Sequence, residues 1–230
     1  KIDSEITDIY KTAYNMTVHH AYQDDSKVTV LRNGVMYFPL LLESLKEANE
    51  FILLQTYILR TDDLGKQVIR ILTEKAKAGV KVYLLYDAIG SVFIQKKVIK
   101  RLIDAGGNVH SIDPIHTGFF DTRMTYRNHR KVIVVDGLKA FVGGMNIANE
   151  YYKKIKKYPR FRDTQLLIEG DAISSITQLF FMDYYYVTGN FIEDSFYYPK
   201  RNIKTKGLVQ LIPSGPEYKY QPIRNVYVKM

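Results

Sequence analysis

Asn128-His129-Arg130-Lys131-Val132-Ile133-Val134-Val135-Asp136 is followed within a few residues by Gly143-Gly144-Met145-Asn146. A histidine, a lysine and an asparagine at this spacing can grip one phosphate. A neutral imidazole nitrogen can attack phosphorus and form a covalent phosphohistidine. A lysine ammonium brings a point charge to the non-bridging oxygens. An asparagine amide, helped by glycine backbone amides, donates hydrogen bonds to the same oxygens as charge builds up. One such donor is typically worth about 2.7–4 kcal/mol in the transition state. Phosphodiester chemistry is the leading reading.

Two strands must hold these groups. Side chains on a strand alternate faces, so His129 and Lys131 point the same way and Asp136 the opposite way. Asp136 is therefore assigned to turn and support work. With Gly137 and Leu138 as a two-residue hairpin loop, Asp136 pairs with Lys139, Lys131 faces Gly144 and His129 faces Asn146. Cross-strand partners share a face, so imidazole, ammonium and carboxamide meet on one surface. Gly143 and Gly144 leave space beside the lysine. A nucleophilic histidine also needs its second nitrogen fixed by a carboxylate or carbonyl. Asp163, just before the next strand, is the first candidate and Glu150 the second. A lone His-x-Lys is ordinarily an exposed hairpin pair; the asparagine in register and the Gly-Gly pair argue for a site. The catalytic set is thus His129, Lys131, Asn146 and Asp163, supported by Asp136, Gly143 and Gly144.

The remaining histidines, His19, His20, His110 and His116, form no metal-spaced set with carboxylates, so no metal is expected. Gly106-Gly107 and Gly143-Gly144 lack the dinucleotide fingerprint, and no cofactor is expected.

The elements follow from pattern. Val28–Arg32, Asn33-Gly34 and Val35–Tyr37 read as a hairpin with an Asn-Gly turn. Pro39–Ala48 reads as an amphipathic helix with proline near its start. Phe51–Leu59, Val80–Tyr86 and Val109–Ile112 read as strands, separated by helices over Leu64–Lys77 and Val92–Ala105. Gly79 and Gly106-Gly107 end those helices. This strand-helix alternation implies parallel pairing with crossover helices. Further on, Lys131–Val135 and Lys139–Val142 form the hairpin and Thr164–Ile168 a strand. Asp171 caps a long aromatic-rich helix to about Val187, Leu208–Ile212 is a last strand, and Pro222–Met230 is amphipathic. In the aromatic helix, Phe180, Phe181, Tyr184, Tyr185 and Tyr186 read as core. Tyr151-Tyr152 beside Lys153-Lys154 has the composition of a headgroup-layer contact.

The chain has 230 residues and 46% apolar content, enough for one large domain or a tight pair with a sizeable core. It has no cysteine, which excludes disulfides and thiolate metal sites. Net charge is +9, with basic clusters at Lys96–Arg101, Lys153–Arg162 and Lys200–Lys206. A positive surface draws nucleic acid or acidic lipid headgroups. No apolar run approaches the roughly 20 residues of a membrane-spanning helix. The first residue is Lys1, so the chain is expected to be a piece of something longer.

His129-x-Lys131-x4-Asp136 followed by Gly143-Gly144-x-Asn146 resembles the HKD motif of the phospholipase D superfamily. Arg127–Lys131, Gly143–Ala148, Arg162-Asp163-Thr164, Glu169-Gly170, Asp62-Asp63-x-Gly65, Leu85–Ser91 and Ser214-Gly215-Pro216 resemble its bacterial cardiolipin synthase branch. The resemblance covers nearly the whole chain. Phe161 stands where the branch often has tryptophan. The resemblance implies an α/β fold, a phospholipase D-like mixed β-sheet flanked by helices. It implies a metal-free phosphatidyltransferase that joins two phosphatidylglycerols into cardiolipin and releases glycerol. It also implies action at the cytoplasmic side of a bacterial cell membrane. Such enzymes carry two HKD motifs across two lobes, and this chain has one. Residues 1–230 are therefore expected to be a single lobe, with membrane anchor and second lobe elsewhere, inactive or weak alone. A second HKD lobe in cis, or a twofold homodimer, would complete the site. The rivals are a homodimeric phosphodiesterase or nuclease, and a non-catalytic lobe that binds acidic membranes. Nucleic acid is the less expected partner.

Overall fold

Phe51–Thr56 is apolar at almost every position because both of its faces are covered. Ile52 and Leu54 point into one core, and Phe51 and Leu53 into the other. Around this strand the chain builds a seven-stranded mixed sheet. The structure, a computed structural model, describes residues 25–112, 128–152, 161–201, 207–215 and 221–229. The strands are β1 (Ser26–Arg32), β2 (Phe51–Thr56), β3 (Lys81–Asp87), β4 (Asn108–Ile112), β5 (Val132–Val135), β6 (Lys139–Gly143) and β7 (Thr164–Gly170). The helices are α1 (Asn33–Glu47), α2 (Asp63–Lys77), α3 (Lys96–Asp104), α4 (Asn149–Tyr152), α5 (Ala172–Thr188) and α6 (Pro222–Lys229), with a 3₁₀ turn at Ser195–Tyr197. The sheet order is β1-β7-β6-β5-β2-β3-β4. β2, β3 and β4 are parallel, joined through α2 and α3, and all other neighbours are antiparallel.

Helices α1, α2 and α3 cover one face through Phe38, Leu41, Leu45, Val68, Leu72 and Leu102. Helix α5 and the 3₁₀ turn cover the other through Ile173, Ile176, Phe180, Phe181 and Tyr197. Each such large apolar side chain contributes roughly 1.5–3 kcal/mol when removed from water.

Several expectations are corrected. Val28–Tyr37 is not a hairpin. β1 runs straight into α1, and the buried positions Tyr37, Phe38, Leu41, Leu42 and Leu45 carry the helical stripe back past Pro39, which lies inside the helix. Asn33 does take a positive φ of 62°. Its side chain accepts the Asp163 amide at 3.2 Å, however, so the residue links β1 to β7 rather than turning a hairpin. The helix expected from Val92 begins only at Lys96, after a turn over residues 88–93. Asp171 makes no side-chain cap. The Ala172 amide at the start of α5 donates instead to Ser26 Oγ of β1, at 3.0 Å. Leu208–Ile212 adds no strand to the sheet; Val209 and Leu211 pack on the α5-side core. Of the α5 aromatics, Phe180, Phe181 and Tyr184 are core, whereas Tyr185 and Tyr186 are exposed.

The β5–β6 register also differs by one residue. Val135 pairs with Lys139, and Val132 with Val142, so the loop holds three residues rather than two. Asp136 and Gly137 both have positive φ, 51° and 62°, and the Leu138 amide donates to the Val135 carbonyl at 2.9 Å. That is a type I′ turn centred on Asp-Gly, its favoured dipeptide, with Leu138 as the extra residue. The Asp136 carboxylate accepts the backbone amides of Asn49, Glu50 and Phe51 at 2.8–2.9 Å. It ties the turn to the start of β2.

Candidate active site

The C-terminal ends of β2, β3 and β6 and the N-terminal ends of β5 and β7 meet along one edge of the sheet. In open α/β sheets, the crevice beyond the carboxyl ends of parallel strands is the usual ligand site. His129 and Lys131 lie here, just before β5. The ladder has ended by then, so the cross-strand pairing of His129 with Asn146 does not occur.

Alternation still governs which way the residues before β5 point. Asn128 and Arg130 reach toward α5. Asp183 of α5 accepts from Asn128 Nδ2 at 2.9 Å, from Gln55 Nε2 at 2.8 Å and from Arg130 Nη1 at 2.5 Å. His129 and Lys131 meet a different set of neighbours. The imidazole stacks on Tyr57, with ring centroids 4.0 Å apart and planes 16° off parallel. Lys131 Nζ lies 5.5 Å from the centre of the same tyrosine ring and donates to the His129 carbonyl at 2.6 Å. Tyr57 thus holds both groups of the motif.

The electrostatics favour a nucleophile. Partial burial and the Lys131 charge hold the His129 imidazole below its ordinary value, against an upward pull from the Asp87 carboxylate. His129 is therefore neutral near pH 7 and keeps a free lone pair. Burial likewise lowers Lys131, while Asp163 pulls it back up.

Asp163 acts on Lys131, and Asp87 is the carboxylate whose field reaches His129. The orienting role expected of Asp163 has a second candidate in Asp87, fully buried at the end of β3. One Asp87 oxygen accepts the Ile89 and Gly90 amides, each at 2.8 Å. Gly90 lets that turn press against the Tyr57 carbonyl; a β-carbon there would sit 2.3 Å from the oxygen. Glu150, the second candidate, pairs with Arg60 at 2.7 Å.

Gly144 has a similar function on the other flank. A β-carbon at this position would meet the Asp163 carboxylate at 2.3 Å, so glycine is what seats Asp163. At Gly143 a β-carbon would strike the Gln165 side chain and the Thr164 carbonyl, both at 2.5 Å.

Asn146 is almost fully buried. Its oxygen accepts the Ile58 amide at 2.9 Å, and its nitrogen donates to the Tyr151 hydroxyl at 2.8 Å. That bond leaves the Tyr151 hydroxyl proton available to a further acceptor, and Asp163 lies near enough to bear on its ionisation. The headgroup-layer reading of Tyr151-Tyr152 gives way to packing against the α1-side core. Sequence reasoning missed Tyr57, Tyr151, Asp87 and Asp183. His110 lies edge-on to Tyr184 at 5.5 Å. His19, His20, His116 and the Lys153–Lys157 basic run lie outside the described residues.

These fields make a pH prediction. In an NMR titration, His129 is expected to titrate below the ordinary imidazole value of 6.5. Lys131→Met removes a cation and should raise the midpoint, and Asp87→Asn removes an anion and should lower it further. Activity that needs the neutral ring should fall as pH drops through the same midpoint. Both substitutions moving it the same way would contradict this electrostatic picture.

Comparison with known proteins places the chain first in a structural class. Nuc from Salmonella typhimurium, a phospholipase D family member, superposes on 69% of this chain and 94% of its own, with TM-score 0.51 and 17% identity. A phosphatidylserine synthase of Haemophilus influenzae Rd KW20 superposes on 77% of this chain and 40% of its own, with TM-score 0.57 and 16% identity. What is shared at such identity is a phospholipase D-like α/β fold.

Sequence then narrows the class. Residues 41–158 match the family described as "Cardiolipin synthase, PLD-like domain", and the chain belongs to that family. A cardiolipin synthase of Geobacillus sp. (strain WCH70) is 40% identical over 207 residues, which are 89% of this chain and 41% of the relative. The major cardiolipin synthase ClsA of Bacillus subtilis (strain 168) is 36% identical over 221 residues, 94% of this chain and 45% of the relative. The chain therefore spans less than half the length of these curated relatives. Among the described residues no helix is long and apolar enough to cross a membrane.

Proposed function

We propose that this chain is one catalytic lobe of a phosphatidyltransferase that makes cardiolipin from phosphatidylglycerol at the cytoplasmic face of a bacterial membrane. The observation that carries the reading is an imidazole stacked on Tyr57 beside a lysine ammonium, at the strand edge where a diester phosphate can lie.

In this reading a His129 nitrogen attacks phosphorus and the bond to the glycerol oxygen breaks. The leaving alkoxide takes a proton from the histidine of a second HKD lobe, in cis or in a twofold copy. That histidine then removes the proton from the hydroxyl of a second phosphatidylglycerol. The freed oxygen attacks the phosphohistidine, the P–N bond breaks and His129 is restored. Lys131 screens the non-bridging oxygens throughout, and Asp163 keeps the ammonium charged. Asn146 sets the Tyr151 hydroxyl, which donates toward the phosphate. Asp87 biases the imidazole. With only its own histidine, the chain alone is inactive or weak, yet the first half-reaction can still leave a covalent mark.

The test is incubation with phosphatidylglycerol labelled in its phosphate, an alkaline quench, and mapping of acid-labile label on the protein. Label at His129 is the expected result. Nicking of plasmid DNA with no lipid label would move the chain to the nuclease reading. No transfer to His129, even with a second HKD lobe supplied, would refute a catalytic role.

A further inference from the structure

The turn that follows Asp87 ends in two side chains that the fold leaves in water. Val92 is 60% exposed and Phe93 79% exposed, the latter among the most exposed large apolar side chains described. Ile94 next to them packs inward, and the Phe93 carbonyl accepts from Thr61 Oγ1 at 3.4 Å, so the tip stands on an anchored base. Helix α3 begins three residues after Phe93, at Lys96. Only Ile99 and Leu102 of this helix are buried. Lys96 with Lys100, and Lys97 with Arg101, lie four apart on its exposed side, so four cations line one face. Asp104 offsets one of them through its 2.7 Å pair with Lys100.

The position of this tip matters as much as its composition. It leaves β3, on one flank of the His129 edge. On the other flank, just before β7, Phe161 is 45% exposed, lies tilted against Tyr151 with ring centroids 5.0 Å apart and is followed by exposed Arg162. The sheet order puts β5, and so His129, between the two flanks. An apolar tip with cations beside it thus stands on either side of the mouth.

We infer that Val92, Phe93 and Phe161 insert into the interface of an anionic bilayer, with Lys96, Lys97, Arg101 and Arg162 on its headgroups, so that lipid phosphates present themselves at His129. Amphipathic surfaces of this kind seat in the headgroup and acyl boundary, and each cation near an anionic surface adds to the hold. A second copy of the chain is a poorer occupant of the two tips themselves; the lobe that supplies the second histidine need meet only the His129 edge between them. Isologous packing on this face would bring cations against cations. The inference deepens the phosphatidyl-transfer reading and rests on it for the choice of lipid; the docking itself needs no turnover.

The test is co-sedimentation of the full chain with vesicles of phosphatidylcholine, alone or mixed with phosphatidylglycerol. Phe93→Ser together with Val92→Ser is expected to weaken binding to the mixed vesicles about tenfold. Lys96→Glu with Lys97→Glu is expected to erase the preference for mixed over neutral vesicles. These positions lie on the surface, and circular dichroism checks that each variant is folded. Variants that bind like the wild type would overturn the inference. So would a self-associated wild type that Phe93→Ser dissociates without changing vesicle binding. Normal vesicle binding with no label at His129 would leave the docking surface standing and refute the catalytic reading instead.

Discussion

His129→Ala is expected to lower phosphatidyl transfer by about a thousandfold or more while leaving the fold intact. In the proposed mechanism the imidazole supplies the bond-forming nitrogen, and among the described residues no neighbour can replace it. Lys131 stays protonated and carries the wrong charge for attack. Tyr151 is pushed above its ordinary value, chiefly by burial, and stays neutral at working pH. Stability should change little because His129 is exposed and its ring contact is with Tyr57. Aromatic stacking of that kind is worth about 0.5–1.5 kcal/mol. His129→Gln gives the matched control, with a polar side chain of similar reach and no nucleophile. The measurements are single-turnover label transfer and a thermal melt on the same samples. A variant that still transfers label at more than a tenth of the wild-type rate would show that another group attacks phosphorus.

The sequence made some of this site legible and hid the rest, for identifiable reasons. His-x-Lys on one side of a strand follows from alternation alone, and the residues before β5 keep it. Assigning Asp136 to the turn followed from the same parity, and the three amides on its carboxylate are that support. The register differs because Asp136-Gly137 is a stronger I′ dipeptide than Gly137-Leu138 and sets the turn one residue earlier. One residue of slip reverses facing, so the link from Asn146 to the phosphate had to be found by another route, through Tyr151. Tyr57 and Asp87 could not be read locally. Each sits at the end of a different buried strand, and only the parallel pairing of β2 with β3 brings those ends alongside β5. The Asn33-Gly34 error is of another kind: a left-handed asparagine was present, but burial of Tyr37 and Phe38 selected helix over hairpin.

Asp183→Ala is expected to destabilise the fold by about 3–5 kcal/mol and to cost activity beyond that loss, because Asp183 holds both residues that flank His129. Both members of the Asp183–Arg130 pair are largely buried, with side chains 13% and 14% exposed. Removing the carboxylate breaks the largely buried ion pair with Arg130 and takes an acceptor from Asn128 and from Gln55. Among the described residues Gln55 Oε1 is already buried without a hydrogen-bond partner, so its side chain has no second anchor there to fall back on. Arg130 and Asn128 flank His129 on either side, and their grip on α5 is what turns the imidazole toward Tyr57. Loosening them should blur that stack, so His129 should titrate closer to the ordinary imidazole value and kcat should fall more than KM rises. Asp183→Asn keeps an acceptor but not the charge, and should fall between alanine and wild type in stability. Chemical denaturation gives the stability difference, and the His129 NMR titration gives the positional effect. A variant that is destabilised as expected but keeps the wild-type His129 midpoint and kcat would confine Asp183 to holding α5 against the sheet.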